Sequence, residues 1–261
     1  MKNKIASFLI LLFAIIPVFI IPVFGMEYLT YGIFSGILII LTILISKINK
    51  ELFSTILFFT ILHLTRPLND WFTGFINLKF PGTYFLIPIL IFTLLILTVP
   101  NIKKTISWWT QDKFNKGTIV IILGLATLSG LALFIWAKFI AKDLQQFTNN
   151  IPDLPLIWIV LNGIGFAVFN SIAEEYLSRG MLCNGLEKIF SNKWIIIFIQ
   201  AFIIGIFHFN SFPGRLAGSL MVFIWSIVLG MIRYRTQGLI GVLVEHFLVD
   251  VTIIYMLYEL K

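Results

Sequence analysis

The chain is 261 residues long, with hydrophobic residues at 59% and charged residues at 12%, where a soluble domain has about 45–50% and 25%. Its 31 charged side chains (19 basic, 12 acidic) cannot cover a fold of this size with polar surface, so a soluble enzyme, a disordered chain and a nucleic-acid-binding domain are all poor readings. The net charge of +7 does not indicate nucleic acid either, because Lys and Arg stand singly between long apolar runs and form no basic face. A single cysteine, Cys183, rules out an intrachain disulfide and a cysteine-cluster metal site.

Crossing a bilayer core of about 30 Å takes about 20 helical residues. Apolar stretches of that order, bounded by charges, Pro or Asn, run 5–24, 28–46, 51–66, 84–100, 118–138, 156–182, 194–210, 216–232 and 238–258. They predict an all-α, polytopic transmembrane helical bundle of eight or nine spans. The first follows Lys2 and Lys4, and its length, Pro17 and Pro22 favour an anchor over a cleaved signal. The third has the shortest continuous apolar part, and the aromatic stretch behind it (Trp71, Phe72, Phe75, Phe80) reads as interfacial. With nine spans and the N-terminus inside, inner loops hold 12 of the 19 basic residues and outer loops six, the sense of the positive-inside rule.

The first five spans are almost wholly apolar, whereas the last 90 residues carry ionisable groups inside spans. Residues 1–150 therefore read as transmembrane spans without evident chemistry, and 151–261 as the part that carries it. The sixth span contains Asn170-Ser171-Ile172-Ala173-Glu174-Glu175-Tyr176-Leu177-Ser178-Arg179. Each ionisable group there costs at least about 2.5 kcal/mol on insertion, and such groups face a bundle interior or a watery cavity. Glu175 and Arg179, four apart, are spaced for an intrahelical ion pair, while Glu174 points about 100° away and has no such partner. His208 ends the seventh span, and the ninth holds Glu245, His246 and Asp250; the four-residue spacing of the last two lets the carboxylate orient the ring. His63, with no acidic neighbour at its own span end, reads as a packing or interfacial residue.

Depth follows from counting. If spans six and seven turn near Ser191 and Asn192, Glu174 and His208 each lie 17 residues from that turn, about 25 Å at 1.5 Å per residue. From a turn at Thr236, His246 and Asp250 lie 10 and 14 residues in, about 15 and 21 Å. The four groups are thus expected in one layer of the same half of the membrane.

Glu-Glu-x-x-x-Arg, a His 34 residues after the first Glu, and His-x-x-x-Asp on a final helix together resemble the CAAX prenyl protease and bacteriocin-processing family of intramembrane proteases. The resemblance covers about residues 156–258 and implies a four-helix catalytic core at the C-terminal end. One position departs from the family pattern, Ile204 where Phe is usual; the last position, commonly Asn and sometimes Asp, is Asp250. The resemblance implies an endopeptidase in which Glu174 is the general base for a water held by His208, and His246 stabilises the oxyanion. Asp250 would orient His246, and Glu175 with Arg179 would support the site. The substrate implied is a membrane-embedded or lipidated peptide, in the bilayer of a bacterial plasma membrane, with no nucleic acid.

Other readings remain beside this one. Intramembrane Glu, Arg and His could pair only to fix packing, serve a proton-coupled transporter, or belong to a non-catalytic bacteriocin immunity or binding protein on the same scaffold. Zinc could be held by Glu174, His208 and His246, but no His-Glu-x-x-His occurs, and no cofactor or metal is expected. Ser171, Ser178 and Cys183 lack a Gly-x-Ser context, and an aspartyl dyad would need a second intramembrane Asp beside Asp250.

Overall fold

A computed structural model describes residues 2–19, 28–75, 85–141, 144–149 and 153–261. Among these every regular element is helical, as expected of apolar segments that must satisfy each backbone N–H internally once in lipid. The main helices are α1 (Lys2–Phe19), α2 (Tyr28–Ile48), α3 (Lys50–Phe75), α4 (Leu86–Thr98), α5 (Lys116–Phe139), α6 (Leu156–Glu187), α7 (Lys193–Phe207), α8 (Arg215–Thr236) and α9 (Ile240–Glu259). A helix stands at each expected span. Six are long and apolar enough to cross a membrane: α2, α5, α6, α7 with its 3₁₀ extension to Asn210, α8 and α9. The apolar parts of α1 and α4, Lys4–Val18 and Leu86–Thr98, are shorter, and α3 carries Lys50, Glu51, Arg66 and Asp70. α3 runs on through Phe75, beyond the expected end of the third span. Pro22 and Phe80 lie outside the described residues.

The loops fall where the breaker residues put them. Asn192 caps α7, its side chain accepting from the Trp194 N–H, and Phe212-Pro213-Gly214 separates α7 from α8. Gln237 ends α8 in the left-handed conformation at φ 65°, a common way to stop a helix. α7 packs on α8, α6 on α9, and α9 on α5. Two of these contacts depend on glycine. A Cβ at Gly163 of α6 would stand 2.7 Å from the Ile254 side chain of α9, and one at Gly205 of α7 would stand 3.0 Å from the Ser219 carbonyl of α8. Without a hydrophobic drive between helices in lipid, such close backbone approach supplies the packing.

Large apolar residues such as Leu29, Ile48, Ile157 and Trp194 lie on the outside, as a lipid-facing surface requires. The interior core, around Leu11, Phe58, Phe59 and Phe92, joins α1, α3 and α4 to the C-terminal helices. Within α6, residues Tyr176–Leu182 adopt a π-helix. Such widened turns are frequent at functional sites, and this one begins directly after Glu174 and Glu175.

Candidate active site

The residues expected in one layer are brought together. Oε2 of Glu174 lies 3.6 Å from Nε2 of His208 and 3.9 Å from Nε2 of His246, and Nε2 of His246 lies 3.6 Å from Oδ2 of Asp250. These separations exceed a good direct hydrogen bond. Glu174 forms no ion pair with Lys or Arg among the described residues, and its side chain is 16% exposed where Glu175 is fully buried.

The ring protons follow from the partners. Nδ1 of His208 is 2.9 Å from the Ile204 carbonyl, which can only accept, so Nδ1 donates and Nε2 is the ring nitrogen that faces Glu174. The contact is to backbone, so having Ile instead of Phe at 204 does not disturb it. Nδ1 of His246 donates to Oε1 of Glu175 at 2.8 Å.

That bond corrects the expectation for Asp250. The closest partner of His246, and the one that fixes its tautomer, is Glu175 on α6. Asp250 accepts instead from Nδ2 of Asn170 at 3.1 Å. The expected Glu175–Arg179 pair is present at 2.8 Å, completely buried. Its guanidinium also donates to Ser178 Oγ at 3.0 Å and Ser226 Oγ at 2.7 Å, and lies 5.7 Å from the Trp225 ring centre. A buried charge is tolerated when paired and hydrogen-bonded in this way. Oε2 of Glu175 and Nε of Arg179 nevertheless have no hydrogen-bond partner among the described residues. Behind the pair, Arg233 holds the π-helix by donating to the Arg179 carbonyl at 3.1 Å, and it pairs with Glu187.

Sequence reasoning missed several of these neighbours. Asn170, one turn before Glu174, could have been found by the same test that exposed Glu174, namely a polar residue in an apolar span. Glu245, next to His246 in the ninth span, has no role in the expected site. It is fully buried, accepts from Trp225 Nε1 at 3.0 and 3.1 Å and from Ser129 of α5 at 3.4 Å, and has no cationic partner among the described residues. Trp225 in turn sets its ring at 90° to His246, centroids 4.8 Å apart. Trp225 and Ser226 had no sequence signal, because a Trp and a Ser in an apolar span are ordinary.

Glu174, His208, His246 and Asp250 all lie in the wall of one cavity of about 1120 Å³, ample for several residues of peptide or an apolar chain. The rest of its lining is mostly apolar and comes from both halves of the chain, including Leu62 of α3, Leu125 of α5 and Phe212. His63 lines it too, its ring stacked on Tyr31 with centroids 4.3 Å apart, in keeping with a packing role. Among the described residues no group of three or more His, Cys, Asp and Glu is arranged to hold a metal ion.

Fold and site define a helical integral membrane protein with carboxylates and histidines gathered at an intramembrane cavity. Residues 156–252 match the model of the Rce1-like family, type II CAAX prenyl endopeptidases. The matched stretch holds the whole cluster, from Asn170 to Asp250, so the resemblance read from the motifs is borne out and the family is one of peptidases. No curated protein and no solved structure matches the chain.

Proposed function

We propose that this protein is a glutamate-dependent intramembrane endopeptidase acting on a membrane-embedded or lipidated peptide. The observation that carries the reading is the convergence of Glu174 with His208 and His246 on the wall of one cavity. A water held by His208 beside Glu174 loses a proton to the carboxylate as its oxygen adds to the peptide carbonyl. The carbonyl π electrons move to oxygen, and the ring of His246, when it carries a proton on Nε2, donates to that oxyanion. On collapse the C–N bond breaks, and Glu174 returns the proton to the leaving amine, giving an acid and an amine without a covalent enzyme intermediate. Glu175 and Arg179 hold the ring and the helix, and Asp250 borders the site.

The same reading assigns residues 151–261 to the catalytic core and 1–150 to spans that complete the cavity wall. It takes eight or nine spans in all, in a bacterial plasma membrane, with no metal required; with nine spans and the N-terminus inside, the site lies in the outer half of the bilayer. Purified protein reconstituted with candidate lipidated peptides tests it: wild type should cleave and Glu174→Ala should not. Equal cleavage by both would sink the assignment.

A further inference from the structure

We propose that Asn170 is a catalytic residue that donates a hydrogen bond to the oxyanion. The inference rests on the protease reading above and concerns the same site. Asn170 lies on α6 four residues before Glu174, so both side chains share one helical face. It is buried and forms part of the cavity wall. Its Nδ2 carries two hydrogens. One goes to Oδ2 of Asp250 at 3.1 Å, and the other has no acceptor among the described residues.

The surrounding groups leave a donor wanting. Asp250 and Glu174, when ionised, can only accept. His246 has committed Nδ1–H to Glu175, so Nε2 can donate only when the ring is doubly protonated. Nε2 of His208 faces Glu174, with its own Nδ1–H committed to Ile204. The free N–H of Asn170 is thus a proton donor in this layer that does not depend on ionisation. The carboxylate of Asp250 holds the amide by Nδ2, fixing the placement of nitrogen against oxygen and sparing reorganisation as charge develops on the substrate oxygen.

Removing a donor of this kind lowers kcat by about 100- to 1000-fold with KM changed less than about twofold. That loss is expected for Asn170→Ala, and equally for Asn170→Ser, which keeps one proton for Asp250 and has none to spare. Asn170→Ser also serves if the alanine variant does not fold. The second expectation separates donation from packing: in an Asp250→Asn background a carboxamide stands across from position 170, so Asn170→Ala should cost less than about tenfold there. A phosphinic peptide, whose P–O oxygen stands for the oxyanion, should bind Asn170→Ala more weakly by the same factor as kcat falls. The inference is overturned if kcat stays within about threefold of wild type, if the loss is the same in both backgrounds, or if phosphinic affinity is unchanged. Glu174→Ala cleaving like wild type would instead defeat the protease reading; Glu174→Ala inactive beside an unimpaired Asn170→Ala defeats only this one.

Discussion

Oε1 of Glu175 accepts from two directions, from Nη1 of Arg179 and from Nδ1 of His246, each at 2.8 Å. One carboxylate oxygen therefore compensates a buried guanidinium and orients a ring that lies 71 residues away in sequence. Glu175→Gln should weaken both roles together. Activity is expected to fall about 10- to 100-fold, as for other groups that orient a functional histidine, and Arg179 loses its counter-charge, at a cost of about 3–5 kcal/mol when a buried pair is broken. Thermal unfolding in detergent and peptide cleavage, measured on the same preparation, check the two effects. A variant impaired in neither would contradict this arrangement.

Buried Glu245 and half-buried Trp225 form a second support beside His246. Trp225→Phe removes the N–H and leaves Glu245 with only the long Ser129 contact, so it should destabilise the protein by about 1–3 kcal/mol. Glu245→Gln keeps an acceptor for the indole and should lose less than Trp225→Phe. Unfolding midpoints give the order, and the reverse order would mean that the indole bond matters little.

Gly163 sets how closely α6 approaches α9, which carry Glu175 and His246. A side chain at 163 meets Ile254 at 2.7 Å from the first carbon, so Gly163→Leu should wedge the helices apart and lengthen the Glu175–His246 bond. Overpacking of this sort typically costs about 1–3 kcal/mol. Pairing Gly163→Leu with Ile254→Ala should recover cleavage, and failure of that compensation would remove the contact as the cause.

Metal independence is testable directly. With a carboxylate base, a water and histidines, the proposed chemistry has no step assigned to a Lewis acid, so cleavage should survive exhaustive chelation. Activity lost on chelation and restored by zinc alone would make Glu174, His208 and His246 ligands.

Orientation is expected to put the α6–α7 turn inside. Phe212 is packed edge-on against Trp136 and Phe147, which makes exposed Arg215 the better reporter for the opposite face. In a background lacking Cys183, which is buried, Arg215→Cys should be labelled from outside intact cells and Asn192→Cys should not. The opposite pattern would turn the cavity toward the cytoplasm.

The membrane class and the residues drawn into the cluster were legible because a bilayer is an unforgiving solvent. Where nearly every residue is apolar, Glu174, His208, His246 and Asp250 stand out singly, and constant helical rise puts them at one depth by counting. Helical spacing also foretold the Glu175–Arg179 pair, since residues four apart face each other whatever surrounds them. Only tertiary structure decided which carboxylate would hold His246. Spacing favoured Asp250 on the same helix, but the packing of α6 against α9 through Gly163 brings Glu175 to Nδ1 and leaves Asp250 to Asn170. Trp225 and Ser226 entered on α8 by the same route. No periodicity within one helix encodes such choices, because they depend on how helices distant in sequence rotate and slide against one another to bury their polar groups together.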